Sequence, residues 1–151
     1  MQEVFGNLWS FPGIKCVTTN GSIRSDGNAV MGRGCALQAK SLFPALPAML
    51  AAHIKIHGNV VGFFPQCNIF SFPVKHRWTE KADLALIEAS AKQLVTAAED
   101  FTPTKYIYLP RPGCGNGQLS WEEVRPVIEP ILASDRFYIV NYARITQWVK
   151  T

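Results

Sequence analysis

Apolar positions change rhythm repeatedly along this chain, and each change marks a predicted element. Glu3–Trp9 and Ile14–Thr19 read as strands, parted by a turn at Pro12–Gly13. Asn20 to Met31 is polar and glycine-bearing, which predicts a long loop. Gly32–Phe43 then reads as a helix, with Cys35, Ala36, Ala39 and Leu42 at helical spacing. A second helix is expected over Pro44–His57, ended by Gly58. Asn59–Phe64 and Cys67–Phe72 are short strands around Pro65–Gln66. Asp83–Glu99 carries the clearest helical pattern: Leu84, Ile87, Ala91, Leu94, Val95 and Ala98 share one face, opposite Glu88, Lys92 and Glu99. Lys105–Leu109 reads as a buried strand, followed by a second glycine-rich loop, Pro110–Leu119. Ser120 and Glu123 have the spacing of a capping box, and Pro126 predicts a kink or a broken first turn in the helix they open. Arg136–Asn141 is the last strand, and Ile145–Val149 is apolar enough to dock as one more strand or turn.

Strands alternating with helices predict an α/β sheet covered on both faces, within one domain spanning residues 1–151. Ligands of such sheets bind at the C-terminal ends of strands. Both glycine-rich loops follow a strand and precede a helix, so two loop–helix junctions fall where a ligand belongs.

Composition narrows the classes. Hydrophobic residues make up 48% of the chain, which predicts a folded globule. No apolar run approaches the roughly 18–20 residues that cross a bilayer, and Met1–Val4 does not resemble a signal peptide, so no membrane partner and a cytoplasmic location are expected. Cys16, Cys35, Cys67 and Cys114 form no CxxC pair and are expected as free thiols. Cys114 lies in a glycine-rich loop, but no histidine adjoins it in sequence, and a small packing residue is the better reading. His53 and His57 lie four apart on a predicted helix without the glutamate of HExxH, so no metal site is expected. The net charge of +4 is spread rather than clustered, with Lys15, Arg24, Arg33, Lys75, His76, Arg77, Lys81 and Arg111 distributed around the two loops.

The loops carry the chemistry. In Leu109–Leu119 (LPRPGCGNGQL), Gly113, Gly115 and Gly117 permit left-handed turns and close backbone approach. Successive N–H groups there can form an anion nest, reinforced by the following helix N-terminus, and phosphate is the natural occupant. The segment lacks the GKS or GKT end of a P-loop and the acidic partner of a dinucleotide fingerprint. In the first loop Gly32 and Gly34 again open a helix. Two phosphate-cradling loops suit a diphosphate.

Three segments, in this order and spacing, resemble the macro domain family: VMGRGCALQ (Val30–Gln38), FPVKHRW (Phe72–Trp78) and LPRPGCGNGQLSWE (Leu109–Glu122). The resemblance covers nearly the whole chain. It points to the branch with the ADP-ribose-1″-phosphate-processing proteins and the antitoxin macro domains that remove ADP-ribose from DNA. It implies a three-layer α/β/α fold with a mixed, mostly parallel sheet and an ADP-ribose cleft that needs no cofactor. Met31, Gly32, Arg33 and Gly34 would flank the diphosphate from one side, and Gly113, Cys114, Gly115, Asn116, Gly117 and Gln118 from the other. Asn20 or Asn28 would meet the distal ribose. Tyr142 matches a position where the family places an aromatic ring on adenine. Asn7 stands where many members carry an aspartate for the adenine amino group, a substitution that weakens adenine recognition.

Lys75 decides between enzyme and reader. In similar catalytic branches a lysine here attacks the anomeric carbon of the distal ribose, and an unprotonated amine is a good nucleophile toward a ring-opened sugar aldehyde. Some relatives pair that lysine with an aspartate in the second loop. Here the position is Gly117, and no carboxylate lies between Pro110 and Ser120. A water, His76 or a substrate phosphate would have to move the proton. The leading expectation is a hydrolase that removes ADP-ribose from a macromolecule, ADP-ribosylated DNA being one candidate. The alternatives are a non-catalytic reader of ADP-ribose or a related NAD-derived nucleotide, and a phosphatase acting on ADP-ribose-1″-phosphate.

Overall fold

The computed structural model describes residues 1–142. The expected element at Ile145–Val149 lies outside them. Among the described residues the strands are β1 (Gln2–Phe5), β2 (Ile14–Asn20), β3 (Gly62–Phe64), β4 (Ile69–Lys75), β5 (Ile107–Pro110) and β6 (Phe137–Asn141). The helices are α1 (Gly34–Leu42), α2 (Leu46–His57), α3 (Leu84–Ala98) and α4 (Trp121–Ile128). The strands form one sheet in the order β1-β6-β5-β2-β4-β3, parallel throughout except for β3, which runs antiparallel to β4. This is the mixed, mostly parallel sheet expected.

The period-two alternation of the central strands builds two cores. Ile14 and Cys16 of β2, with Phe70, Phe72 and Val74 of β4, face the layer of α3 and α4, where Ile87, Leu94, Val124 and Ile128 close over them. Val17 and Ile69 face the other way, toward Ala36, Ala39, Leu46 and Leu50 of α1 and α2. The central strands are therefore buried on both sides, as parallel sheets are.

Three departures from the expected elements have a physical reason in the structure. The first strand stops at Phe5 rather than Trp9, because Gly6 takes a φ of 146° and Asn7 starts a 3₁₀ turn over Leu8–Ser10, its side chain accepting from Trp9 N–H at 3.0 Å. The strand expected to end at Phe72 continues through Pro73 to Lys75. A register shift between Thr19 and Asn20 of β2 falls opposite this stretch, and such a bulge tolerates a residue without an N–H. The third shift is in α4. It runs unbroken through Pro126, with Ser120 Oγ accepting from Glu123 N–H at 3.2 Å, and ends two residues later. The missing Pro126 N–H leaves the Glu122 carbonyl, in the first turn, without its helical donor, and the short helix tolerates this.

Asp83 ties α3 to the sheet edge where the loops gather. Its carboxylate accepts from Ala85 N–H at 2.9 Å as the N-cap, and its backbone N–H donates to Val74 O at 2.9 Å. The hydrogen bond from His76, followed by the helix N–H groups, holds the Asp83 carboxyl below its ordinary 3.8. A depressed carboxyl contributes stability above its unfolded pKa and loses it as pH falls through the lower folded value. Asp83→Ala is expected to cost about 1 kcal/mol near neutral pH. The difference from wild type should narrow in acid below pH 3.8, measurable by urea denaturation across pH.

Candidate active site

The C-terminal ends of β2, β4 and β5 open into one cleft of about 760 Å³. Each strand hands a different group to it. β2 ends in Thr18, Thr19 and Asn20, β4 in Val74 and Lys75, and β5 in Pro110, with Arg111 directly after it. This is the crevice at strand C-termini where α/β sheets bind ligands.

The two glycine-rich loops form opposite walls. In the first, Gly32 and Arg33 lead into α1, whose N-cap residue Arg33 supplies no side-chain cap. Leu37 N–H donates to Arg33 O at 3.2 Å, so the N–H groups of Gly34, Cys35 and Ala36 precede the first helical bond and have no helical acceptor. An uncapped N-terminus turned into a cleft is an anion site. In the second loop Gly113 and Gly115 hold φ near 78° and 76°, and Gln118 is left-handed at 67°. Leu119 N–H to Gly113 O at 3.0 Å closes the loop on itself. The walls approach each other where the Asn116 amide lies 3.3 Å from the place a Cβ on Gly34 would take.

Lys75 is the last residue of β4, and its backbone is clamped. Asn59 Nδ2 donates to Lys75 O at 2.9 Å, and Gly21 N–H donates to His76 O at 3.1 Å. Its Nζ reaches Trp78 O at 3.5 Å, within the Arg77–Glu80 turn at the cleft mouth. Arg111 follows β5, with its guanidinium 3.1 Å from Glu3 and 4.9 Å from the centroid of the Trp121 ring. It is fixed rather than free to follow a ligand.

Most of the expected site residues meet here. Asn20, Gly32, Arg33, Gly34, Lys75, Gly113, Cys114, Asn116, Gly117 and Gln118 line the cleft, and Gly115 supplies the turn between two of them. Asn20 and Asn28 separate. Asn20 lines the cleft and braces the first loop, donating to Val30 O at 3.1 Å and accepting from Ser22 N–H at 2.9 Å. Asn28 lies in the Arg24–Asn28 turn outside it. The Met31 side chain is 3% exposed and packs in the α1–α2 core, so this residue meets the first loop through its backbone alone. Asn7 and Tyr142 also lie outside the described lining. Asn7 is spent in part on its 3₁₀ cap, and Tyr142 is 66% exposed just beyond β6.

The candidate proton carriers and nucleophiles sort by partner. His76 turns away from Lys75 to pair with Asp83 at 2.7 Å. Burial raises the pKa of the Cys114 thiol, against the lowering pull of Arg111, so it is no ready nucleophile. Burial likewise raises that of Cys35, whose sulfur lies 3.2 Å from Thr18 Oγ1. The sequence reading missed Glu80, the one carboxylate among the described lining residues. It stands five residues after Lys75, outside the three motif segments and outside the second loop.

The macrodomain of Thermus aquaticus DarG superimposes with a TM-score of 0.69 and 28% identity, covering 95% of this chain and 97% of that one. The chain is a macrodomain. The macrodomain of Mycobacterium tuberculosis DarG matches over the same shares with a TM-score of 0.74 at 24% identity. Thermosipho africanus DarTG, solved in complex with ADP-ribose, gives 0.73 at 19% identity over 96% of this macrodomain and 42% of that chain. In sequence, this macrodomain is 33% identical over 141 residues, 87% of its length, to a DNA ADP-ribosyl glycohydrolase of Thermus aquaticus, of which it spans 38%. No protein-family model matches it. The likeness to the DarG branch agrees with the three segments that first suggested the family.

Proposed function

We propose that this macrodomain binds ADP-ribose and hydrolyses its bond to a macromolecular acceptor through Lys75. The observation that carries the reading is the meeting of Lys75 with both anion-binding loops in one cleft. A diphosphate spanning the α1 N-terminus and the Gly113–Gln118 loop would leave its distal ribose toward the end of β4, where Lys75 stands. Asn20 would meet that ribose. The names of the relatives, DNA ADP-ribosyl glycohydrolases, support the same reaction class.

The acceptor we propose is a base of single-stranded DNA. Trp78 supports this choice, since it stands at the rim beside Lys75 with 54% of its surface exposed. Its backbone is held by Ser22 Oγ at 3.0 Å, so the indole is presented from a fixed turn. Arg77 and Lys81 flank it on the surface. An aromatic platform between cations is how proteins hold single-stranded nucleic acid, with stacking worth roughly 1–3 kcal/mol per base.

The test is product analysis on three compounds: an ADP-ribosylated single-stranded oligonucleotide, an ADP-ribosylated protein and ADP-ribose-1″-phosphate. Free ADP-ribose and an unmodified oligonucleotide are the expected products of the first. Micromolar binding of ADP-ribose without release from any conjugate would instead make the domain a reader, and phosphate release from the third compound alone would make it a phosphatase.

A further inference from the structure

We propose that Glu80 is the proton carrier that works with Lys75, giving a proton to the departing acceptor and later taking one from the attacking water. The inference rests on the glycohydrolase reading above and answers a need that reading leaves open. A lysine that displaces an acceptor needs a group to protonate the leaving atom, and the second loop has glycine where a carboxylate could do so.

Glu80 is placed for the role by the turn that also carries Trp78. Glu80 N–H donates to Arg77 O at 3.1 Å, and Arg77 N–H donates to Glu80 Oε1 at 2.9 Å. The two bonds fix both ends of the turn and hold the carboxylate at the cleft mouth. Its other oxygen, Oε2, makes no hydrogen bond or ion pair among the described residues. The competitors are otherwise engaged. His76 is bound to Asp83, Asp26 pairs with Arg24 at 3.5 Å, and Glu3 holds Arg111 and Arg125. Glu80 lines the same cleft as Lys75 and Trp78, and Ala82 N–H, two residues on, donates to Gly117 O at 3.0 Å and ties this segment to the second loop.

The chemistry balances in two steps. The Lys75 Nζ lone pair forms a bond to C1″ while the C1″–acceptor bond breaks. The acceptor leaves with its electron pair and the proton of the Glu80 carboxyl, so it departs neutral and Glu80 becomes a carboxylate. The resulting sugar-ammonium at Lys75 can open reversibly to a protonated imine by passing one proton from nitrogen to the ring oxygen. In the closing step water adds to C1″, its proton goes to the Glu80 carboxylate, and the C1″–Nζ bond breaks with its electrons returning to Lys75. ADP-ribose is released, and the amine and the carboxylic acid are restored.

The full chain as wild type, Glu80→Gln and Glu80→Asp separates the possibilities. Three readouts are compared: end-point borohydride trapping of ADP-ribose on Lys75, release from an ADP-ribosylated single-stranded oligonucleotide, and the first-turnover burst from a 4-nitrophenyl ADP-ribose conjugate. Nitrophenolate leaves without a proton, so it bypasses the acid. Glu80→Gln is expected to trap ADP-ribose like wild type and to lose about 10²–10⁴-fold on the oligonucleotide. Its burst on the nitrophenyl conjugate should stay within about tenfold of wild type, and Glu80→Asp should regain part of the lost rate. Undiminished oligonucleotide turnover in Glu80→Gln would overturn the proposal and leave the Lys75 reading standing. Equal losses on both conjugates would also overturn it, reducing Glu80 to a brace for its turn. A wild type that neither traps nor releases ADP-ribose would remove the glycohydrolase reading itself, and this inference with it.

Discussion

Lys75→Ala and Lys75→Arg are both expected to lose release of ADP-ribose by about a thousandfold or more, with ADP-ribose binding largely kept. The pair of variants divides two roles. Alanine removes the amine and its charge together. Arginine keeps a cation at the end of β4 but cannot serve as a nucleophile, because its guanidinium stays protonated at any working pH. If Lys75 acts only by attracting the diphosphate, arginine should rescue turnover. If it forms the bond to C1″, arginine should be as inactive as alanine. Intact-mass analysis after borohydride reduction adds a direct readout: a one-to-one ADP-ribose adduct in wild type and none in either variant. Binding should survive because the proposed anion contacts belong to other residues of the cleft, the N–H groups at Gly34–Ala36 and the loop around Gly113–Gln118. Calorimetry with ADP-ribose checks that point. Release by Lys75→Arg within about tenfold of wild type would defeat the nucleophile assignment.

Why Lys75 can be singled out at all says something about what a sequence carries. The FPVKHRW segment identified the lysine, but its position depends on contacts that no local pattern encodes. Pro73 argued for ending the strand at Phe72. The bulge between Thr19 and Asn20 on the neighbouring strand lets β4 continue, and so puts Lys75 on the sheet rather than in a loop. Asn59, sixteen residues upstream, then fixes its carbonyl. Periodicity located α3 to within a residue at each end, because a fifteen-residue amphipathic pattern averages over many positions. It misplaced the first strand, where one glycine with positive φ and one asparagine cap decide the geometry. The loops were legible because glycine spacing reports backbone freedom directly. Which side chains turn inward was not. Met31 sits within a matching motif and its side chain packs in the core, whereas Glu80 lies outside every motif and reaches the cleft.

Gly113→Ala is expected to destabilise the fold by roughly 2–5 kcal/mol, whereas Gly115→Ala should cost only about 1–2 kcal/mol. Both glycines hold positive φ, 78° and 76°, so both substitutions carry the backbone penalty of an L-residue in the left-handed region. They differ in what the new methyl would meet. At Gly115 nothing lies within 4 Å. At Gly113 a Cβ would stand 2.6 Å from Ile87 Cδ1, 3.1 Å from Leu119 Cδ1 and 3.3 Å from the Ala82 Cβ. Ile87, on the inner face of α3, is fully buried and cannot swing away without opening the core. The loop must therefore lift, and Gly113 O is the acceptor that closes the loop through Leu119 N–H. A stability loss at Gly113 should for that reason come with weaker ADP-ribose binding, since the N–H groups of the second wall move with it. Thermal midpoints should fall by about 2–4 °C per kcal/mol for a domain of this size, separating the two variants clearly. Equal midpoints for both would mean that α3 yields to the methyl, and the close packing of this loop on Ile87 would then not be what holds the phosphate wall in place.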